Sequence, residues 1–208
     1  VQDLTDAREM ARDFKRVSDH IGIRTECTIT RGSSPVGRGI GPILEARDVL
    51  KVLQGEGPED LRVKSLRLAE ILLEICGVEA SPVRLLDSGN ALEKFHEIVE
   101  AQNGDPSLTR DDLVPGKYEY DFVADRSGYV THIDNELVSG VARRAGAPHD
   151  KEAGIYLEAE VGDDVSRDDT LFTVYADKSD KLEEAREYAE TRRPVRVGDR
   201  GESLVERV

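Results

Sequence analysis

Tryptophan is absent from this 208-residue chain, methionine occurs once, and aromatic residues make up only 5% of it. A core built from this composition must consist of Val, Leu, Ile and Ala rather than large rings. Lysine is scarce as well: 8 Lys stand beside 21 Arg, against 21 Asp and 22 Glu, for a formal net charge of −14. A surface of that sign repels nucleic acid and anionic membranes, so neither is expected as a partner. No apolar run approaches the roughly 18 residues a spanning helix needs, and no signal peptide is expected. Two cysteines, Cys27 and Cys76, make no disulfide framework, so a reduced, cytoplasmic protein is expected. Acid enrichment with little Lys also suits concentrated salt, and a halophilic setting is expected. Val stands at position 1, which reads as a processed chain or a piece of a longer one.

What is present is periodic. Leu4, Ala7, Ala11, Phe14 and Val17 recur at steps of three and four, predicting a helix over 3–19 that stops at Gly22. Ile23, Thr25, Cys27 and Ile29 alternate with Arg24, Glu26, Thr28 and Thr30, predicting a strand over 23–30. Pro42 suits the first turn of a helix over about 42–54. Further helices are expected from Pro58 to Cys76, from Ser81-Pro82, and along Leu92, Phe95, Ile98 and Val99. This half holds one strand among four or five helices. A lone strand leaves its backbone groups unpaired, so its partners are expected either in the second half or, preferably, in sequence outside this chain.

Residues 105–116, rich in Asp, Pro and Gly, read as a linker between a 1–104 segment and a 117–208 domain. In the latter, strands are expected over 118–124, 128–133, 155–161, 170–176 and 194–198, with helices over 135–145 and 180–192. This half reads as a compact, small α+β domain.

Chemistry-bearing residues are few. His20, His96, His132 and His149 lie at no metal-ligand spacing from one another or from a cysteine, so surface or capping roles are favoured over catalysis. Cys27 on an apolar strand face and Cys76 at a helix end read as buried small hydrophobes. Asp163, Asp164, Asp168 and Asp169 lack the ligand spacing of a calcium loop and read as two solvated turns. The glycine-rich stretch at 32–41 follows a strand and opens a helix, a context in which backbone N–H groups bind phosphate. Its Gly37-Arg38-Gly39-Ile40-Gly41 spacing is not the dinucleotide fingerprint, and a close-packed turn is favoured over an anion site.

Ser34-Pro35-Val36-Gly37-Arg38-Gly39-Ile40-Gly41-Pro42-Ile43-Leu44-Glu45-Ala46-Arg47-Asp48 resembles a signature of the thymidine/pyrimidine-nucleoside phosphorylase family. Ser88-Gly89-Asn90-Ala91-Leu92-Glu93-Lys94-Phe95 and Ala101-Gln102-Asn103-Gly104-Asp105-Pro106 resemble its next block. Ser127-Gly128-Tyr129-Val130, Gly146-Ala147, Ala153-Gly154-Ile155 and Val161-Gly162-Asp163 resemble its C-terminal domain. The Pro-Val-Gly-Arg form is most similar to the archaeal, haloarchaeal-type AMP phosphorylase branch.

The resemblance implies a pentosyltransferase in which AMP and phosphate give adenine and ribose 1,5-bisphosphate. It also implies that this chain covers only the C-terminal two-fifths or so of a full enzyme, an α/β portion of a larger catalytic domain over 1–104 followed by a small α+β C-terminal domain over 117–208. The family's phosphate and base ligands would lie upstream, so no catalytic or substrate-binding residue is expected here, and the chain alone is expected to be inactive. A homo-oligomer is expected, and no organic cofactor. Some family members hold a potassium ion, and by position its ligands map to the carbonyls of Val36 and Gly39 and the carboxylate of Asp48. Asp stands there in place of the family's Glu. Two rivals are a pyrimidine-nucleoside phosphorylase acting on thymidine or uridine, and a non-catalytic oligomerisation or regulatory module.

Overall fold

The computed structural model describes residues 3–30 and 32–199. Five helices and one short strand come from the first half: α1 (Leu4–Ile21), β1 (Gly39–Ile40), α2 (Pro42–Leu53), α3 (Glu59–Cys76), α4 (Pro82–Asp87) and α5 (Asn90–Ala101). The second half adds β2 (Tyr118–Val123), β3 (Gly128–Ile133), α6 (Asn135–Ala145), β4 (Gly154–Leu157), β5 (Asp164–Val165), β6 (Thr170–Ala176), α7 (Ser179–Arg192) and β7 (Val195–Gly198). The ends of these helices follow from local chemistry. Asp3 accepts hydrogen bonds from the N–H groups of Thr5 and Asp6 at the start of α1, and Gly22 closes it in the left-handed region. Asp134 caps α6 in the same way through Glu136 and Leu137.

The strands form two antiparallel sheets, one in the order β1-β4-β6-β2 and one in the order β5-β3-β7. One apolar cluster fills the space they share with α6 and α7. Ile155, Val174, Val141 and Ala185 are fully enclosed in it, and Phe122 stacks on Phe172 with ring centroids 4.5 Å apart. Small residues let α6 and α7 approach: a side chain at Gly140 would meet the Tyr188 ring at 3.0 Å. The architecture is therefore mixed α/β, and its core lies in the second half.

The first half differs from expectation in two respects. Residues 23–30 form no strand and are almost wholly exposed. The alternation of Ile and Thr supplies strand propensity, but propensity without a partner edge leaves the ladder unmade. The segment is tied instead by Arg24, whose guanidinium donates to the Ile75 carbonyl at 2.6 Å. With no sheet to cover them, Cys27 and Cys76 are both exposed free thiols, not buried hydrophobes. In the second half, the strand expected over 155–161 is shorter, ending at Leu157, and the turn at Asp164 contributes a two-residue strand. The last residues of the expected 117–208 domain, from 200 onward, lie outside the described residues.

Candidate functional site

The glycine-rich segment is built from the inside by carboxylates. Gly37 takes φ +80° and Gly41 φ +130°, conformations that favour glycine. The Gly37 N–H donates to Asp60 Oδ2 at 3.0 Å, at the start of α3. The Arg38 and Gly39 N–H groups both donate to Asp48 Oδ2, at 2.7 and 2.8 Å, and the Gly41 N–H donates to Glu45 Oε1 at 3.0 Å. Asp48 and Glu45 both stand on α2, with Glu45 in its first turn, where a carboxylate also complements the helix dipole. Four amides that could cradle a phosphate are thus spent on the chain's own acids. The segment is a close-packed turn: a Cβ on Gly39 would lie 2.4 Å from the Leu44 carbonyl, and one on Gly41 2.4 Å from that of Ala153.

The turn is also stitched to the second half. Gly39 pairs with Tyr156 and Ile40 with Ile155 across β1 and β4, and the Leu157 N–H donates to the Arg38 carbonyl at 2.8 Å. The Arg38 guanidinium reaches Glu160 at 2.7 Å. Lys51, one turn along α2 from Asp48, donates to the Tyr156 hydroxyl at 3.0 Å.

Asp48 is the centre of this arrangement and is 2% exposed. Its Oδ2 accepts two amides, whereas its buried Oδ1 accepts no hydrogen bond, and Lys51 Nζ lies 3.8 Å from it. Of the three residues assigned to a potassium ion, the structure brings Asp48 against Gly39, with Val36 at the entry to the turn. A buried anionic oxygen without a hydrogen-bond donor is the kind of ligand that suits a weakly hydrated cation. In its donor chemistry Asp48 fits such an ion.

The other candidates stay apart. His20 ends α1, His96 sits on α5 beside Phe95, His132 lies on β3 with Asp134 at 4.0 Å, and His149 follows α6. Asp163 and Asp169 each close their own turn, accepting from the N–H groups of Glu160 and Ser166 at 2.8 and 2.7 Å. Among the described residues, no group of three or more His, Cys, Asp or Glu converges as a metal site. None of their helices is long and apolar enough to cross a membrane. A cleft of about 380 Å³ opens beside the turn, between Thr28, Thr30 and Ser34 on one wall and Val63, Lys64 and Arg67 of α3 on the other.

Sequence reasoning missed Glu45, Asp60, Lys51 and Tyr156. Glu45, four residues after Gly41 and in the first helical turn, and Lys51, three after Asp48, carry readable spacing. Asp60 and Tyr156 reach the turn only through tertiary packing, which spacing does not reveal.

A family profile described as the pyrimidine nucleoside phosphorylase C-terminal domain matches residues 129–195. The chain is 53% identical over 213 residues to an AMP phosphorylase of Natronomonas pharaonis, matching all of this chain and 43% of that protein. It is 43% identical over 206 residues to an AMP phosphorylase of Methanosarcina barkeri, covering 95% of this chain and 40% of that one. It is 42% identical over 204 residues to one of Thermococcus sibiricus, covering 95% and 41%. The chain spans about two-fifths of the length of these relatives. By these matches the chain belongs to the family of pyrimidine-nucleoside and AMP phosphorylases, with the family's C-terminal domain at residues 129–195.

Proposed function

We propose that this chain is the C-terminal portion of an AMP phosphorylase. In that reaction the bond from the anomeric carbon of AMP to adenine breaks, an oxygen of inorganic phosphate forms the new bond to that carbon, and the departing base takes a proton. The products are adenine and ribose 1,5-bisphosphate. Catalysis of this kind rests on holding two anions in line and screening their charge. The part assigned to this chain is scaffolding. Asp48, Glu45 and Asp60 fix the glycine turn, and β1 docks it on the C-terminal sheet. The observation that carries the reading is the match at 53% identity along all of this chain.

The same reading places a potassium ion on the carbonyls of Val36 and Gly39 and on Asp48, supported by the donor-free Oδ1. Such an ion would supply a fixed positive charge beside the turn. The working form is a homo-oligomer in a salt-rich archaeal cytoplasm. Support comes from the −14 charge and from the apolar side chains exposed on α1 and α3, such as Phe14 and Leu72.

A pyrimidine-nucleoside phosphorylase is the second reading, favoured by the description of the matched C-terminal profile. A substrate panel on the longer enzyme containing this chain decides between them. Phosphate-dependent release of adenine from AMP is expected, and preferential release of thymine or uracil from its nucleoside overturns the AMP assignment. The 208-residue chain alone is expected to release none of these bases, and adenine release by it would overturn the scaffolding role.

A further inference from the structure

We propose that Lys51 is a tethered cation that competes with a monovalent ion for Asp48. The inference rests on the potassium reading of the turn and adds a residue that governs its occupancy. Asp48 is buried, and its Oδ2 is committed to the Arg38 and Gly39 amides. The remaining oxygen is left without a hydrogen bond, a costly state for a buried acceptor unless positive charge lies close by. Lys51 supplies that charge. Its Nζ lies 3.8 Å from Oδ1, within ion-pair range but beyond a hydrogen bond.

In the same position the ammonium is also held by Tyr156. It donates to Tyr156 Oη at 3.0 Å and lies 5.0 Å from the centre of the Tyr156 ring. A lysine is a compact charge on a flexible stem, suited to such a choice. The exposures set the direction of exchange: the Asp48 side chain is 2% accessible and that of Lys51 22%, so the ammonium approaches the carboxylate from the solvent side. Arg38 Nη1 and Arg47 Nε are buried without a hydrogen-bond partner, but among the described residues it is Lys51 that lies within ion-pair range of Asp48. Glu45 and Asp60 hold the Gly41 and Gly37 amides, and Arg38 pairs with Glu160. Lys51 is therefore the movable charge at this carboxylate. In dilute salt it neutralises Asp48. In concentrated potassium the ion takes Oδ1, and Lys51 rests on Tyr156, leaving neither group unpaired. Because Tyr156 faces Gly39 across the β1–β4 ladder, either state keeps the turn docked.

The test is thermal melting of the longer enzyme containing this chain across KCl concentrations, with choline chloride at matched ionic strength to subtract screening. The difference between the two salts reports potassium alone. For Lys51→Met the half-saturating potassium concentration should fall about fivefold relative to the parent. Equal midpoints in the two chains overturn the competition and leave the ion reading standing. Absence of a potassium-specific shift in both overturns the ion reading and the competition with it. Should Lys51→Met not fold, Tyr156→Phe serves: removing the hydroxyl holds the ammonium on Asp48 and should raise the midpoint. An unchanged or lower midpoint overturns the proposal.

Discussion

The helices of the two halves share an amphipathic pattern but meet different fates. In α1 the stripe residues Leu4, Phe14, Val17 and Ile21 are 53–61% exposed. In α6 the equivalent stripe, Val138, Val141, Ala142 and Ala145, is at most 3% exposed. Along α1, α3 and α5 no residue is buried at all, while α6 and α7 close over the four-stranded sheet. Periodicity is enough to make each helix, but burial requires a second apolar surface at the right distance, which among the described residues α6 and α7 meet and α1, α3 and α5 do not. In the first half the buried side chains are mainly those of α2, which lies against β1 and β4. Stability should follow burial and not helix content.

The sharpest way to break that comparison is a pair of truncations. Ile155 is 0% exposed at the centre of the second-half core, so Ile155→Ala should cost about 2–5 kcal/mol in urea unfolding. Leu72 on α3 is 61% exposed, so Leu72→Ala should stay within about 0.5 kcal/mol. Comparable costs would mean that α3 is covered in solution and that the two halves do not differ in this way.

The seam between the halves gives the next effect. Asp48→Ala leaves the Arg38 and Gly39 amides without acceptors, at about 1–3 kcal/mol for each group that water does not reach. Amide hydrogen exchange should then accelerate at residues 37–41 and along β4, but not at α7. Acceleration throughout the second half would show that the turn supports the whole core and is no local seam.

The same division governs what the sequence made readable. β3, α6 and β6 match their expected bounds at 128–133, 135–145 and 170–176, because their periodicity, caps and glycines agree with the packing they enter. Residues 23–30 carry an equally good strand pattern and form none, since a ladder needs an edge that alternation cannot supply. The exposure of Cys27 and Cys76 follows from the same missing cover. The strands β1 and β5, two residues each, are too short for any period to register. At the site, Val36, Gly39 and Asp48 were found through a family resemblance. The clasp from Asp48 through Lys51 to Tyr156 joins residues more than a hundred positions apart, a distance that local spacing does not bridge.

The smallest expected effect separates long-range ties from local ones by pH. In the second half, the Lys181 ammonium donates to Asp150, 31 residues away, and this hydrogen bond holds the Asp150 carboxyl below its ordinary range while raising Lys181. The Asp150 share of stability is present above its unfolded-state pKa and is lost as pH falls through its lowered folded value. The Lys181 share is complete below its own unfolded-state pKa and is lost as pH rises through its raised folded value. In the linker, Asp105 and Asp112 are also lowered, by the hydroxyl and N–H of Ser107 and Thr109, two and three residues off. Such short-range bonds can form without the fold, so their share of stability should be smaller still. Carboxyl-carbon NMR titration of the Lys181→Ala chain should move Asp150 back towards the ordinary range and leave Asp105 and Asp112 lowered. If urea at unfolding strength relaxes all three carboxyls equally, the linker turns depend on the fold as much as the Lys181 tie does. If Asp105 and Asp112 keep part of their shift while Asp150 loses all of it, long-range order belongs to the second half and local order to the linker.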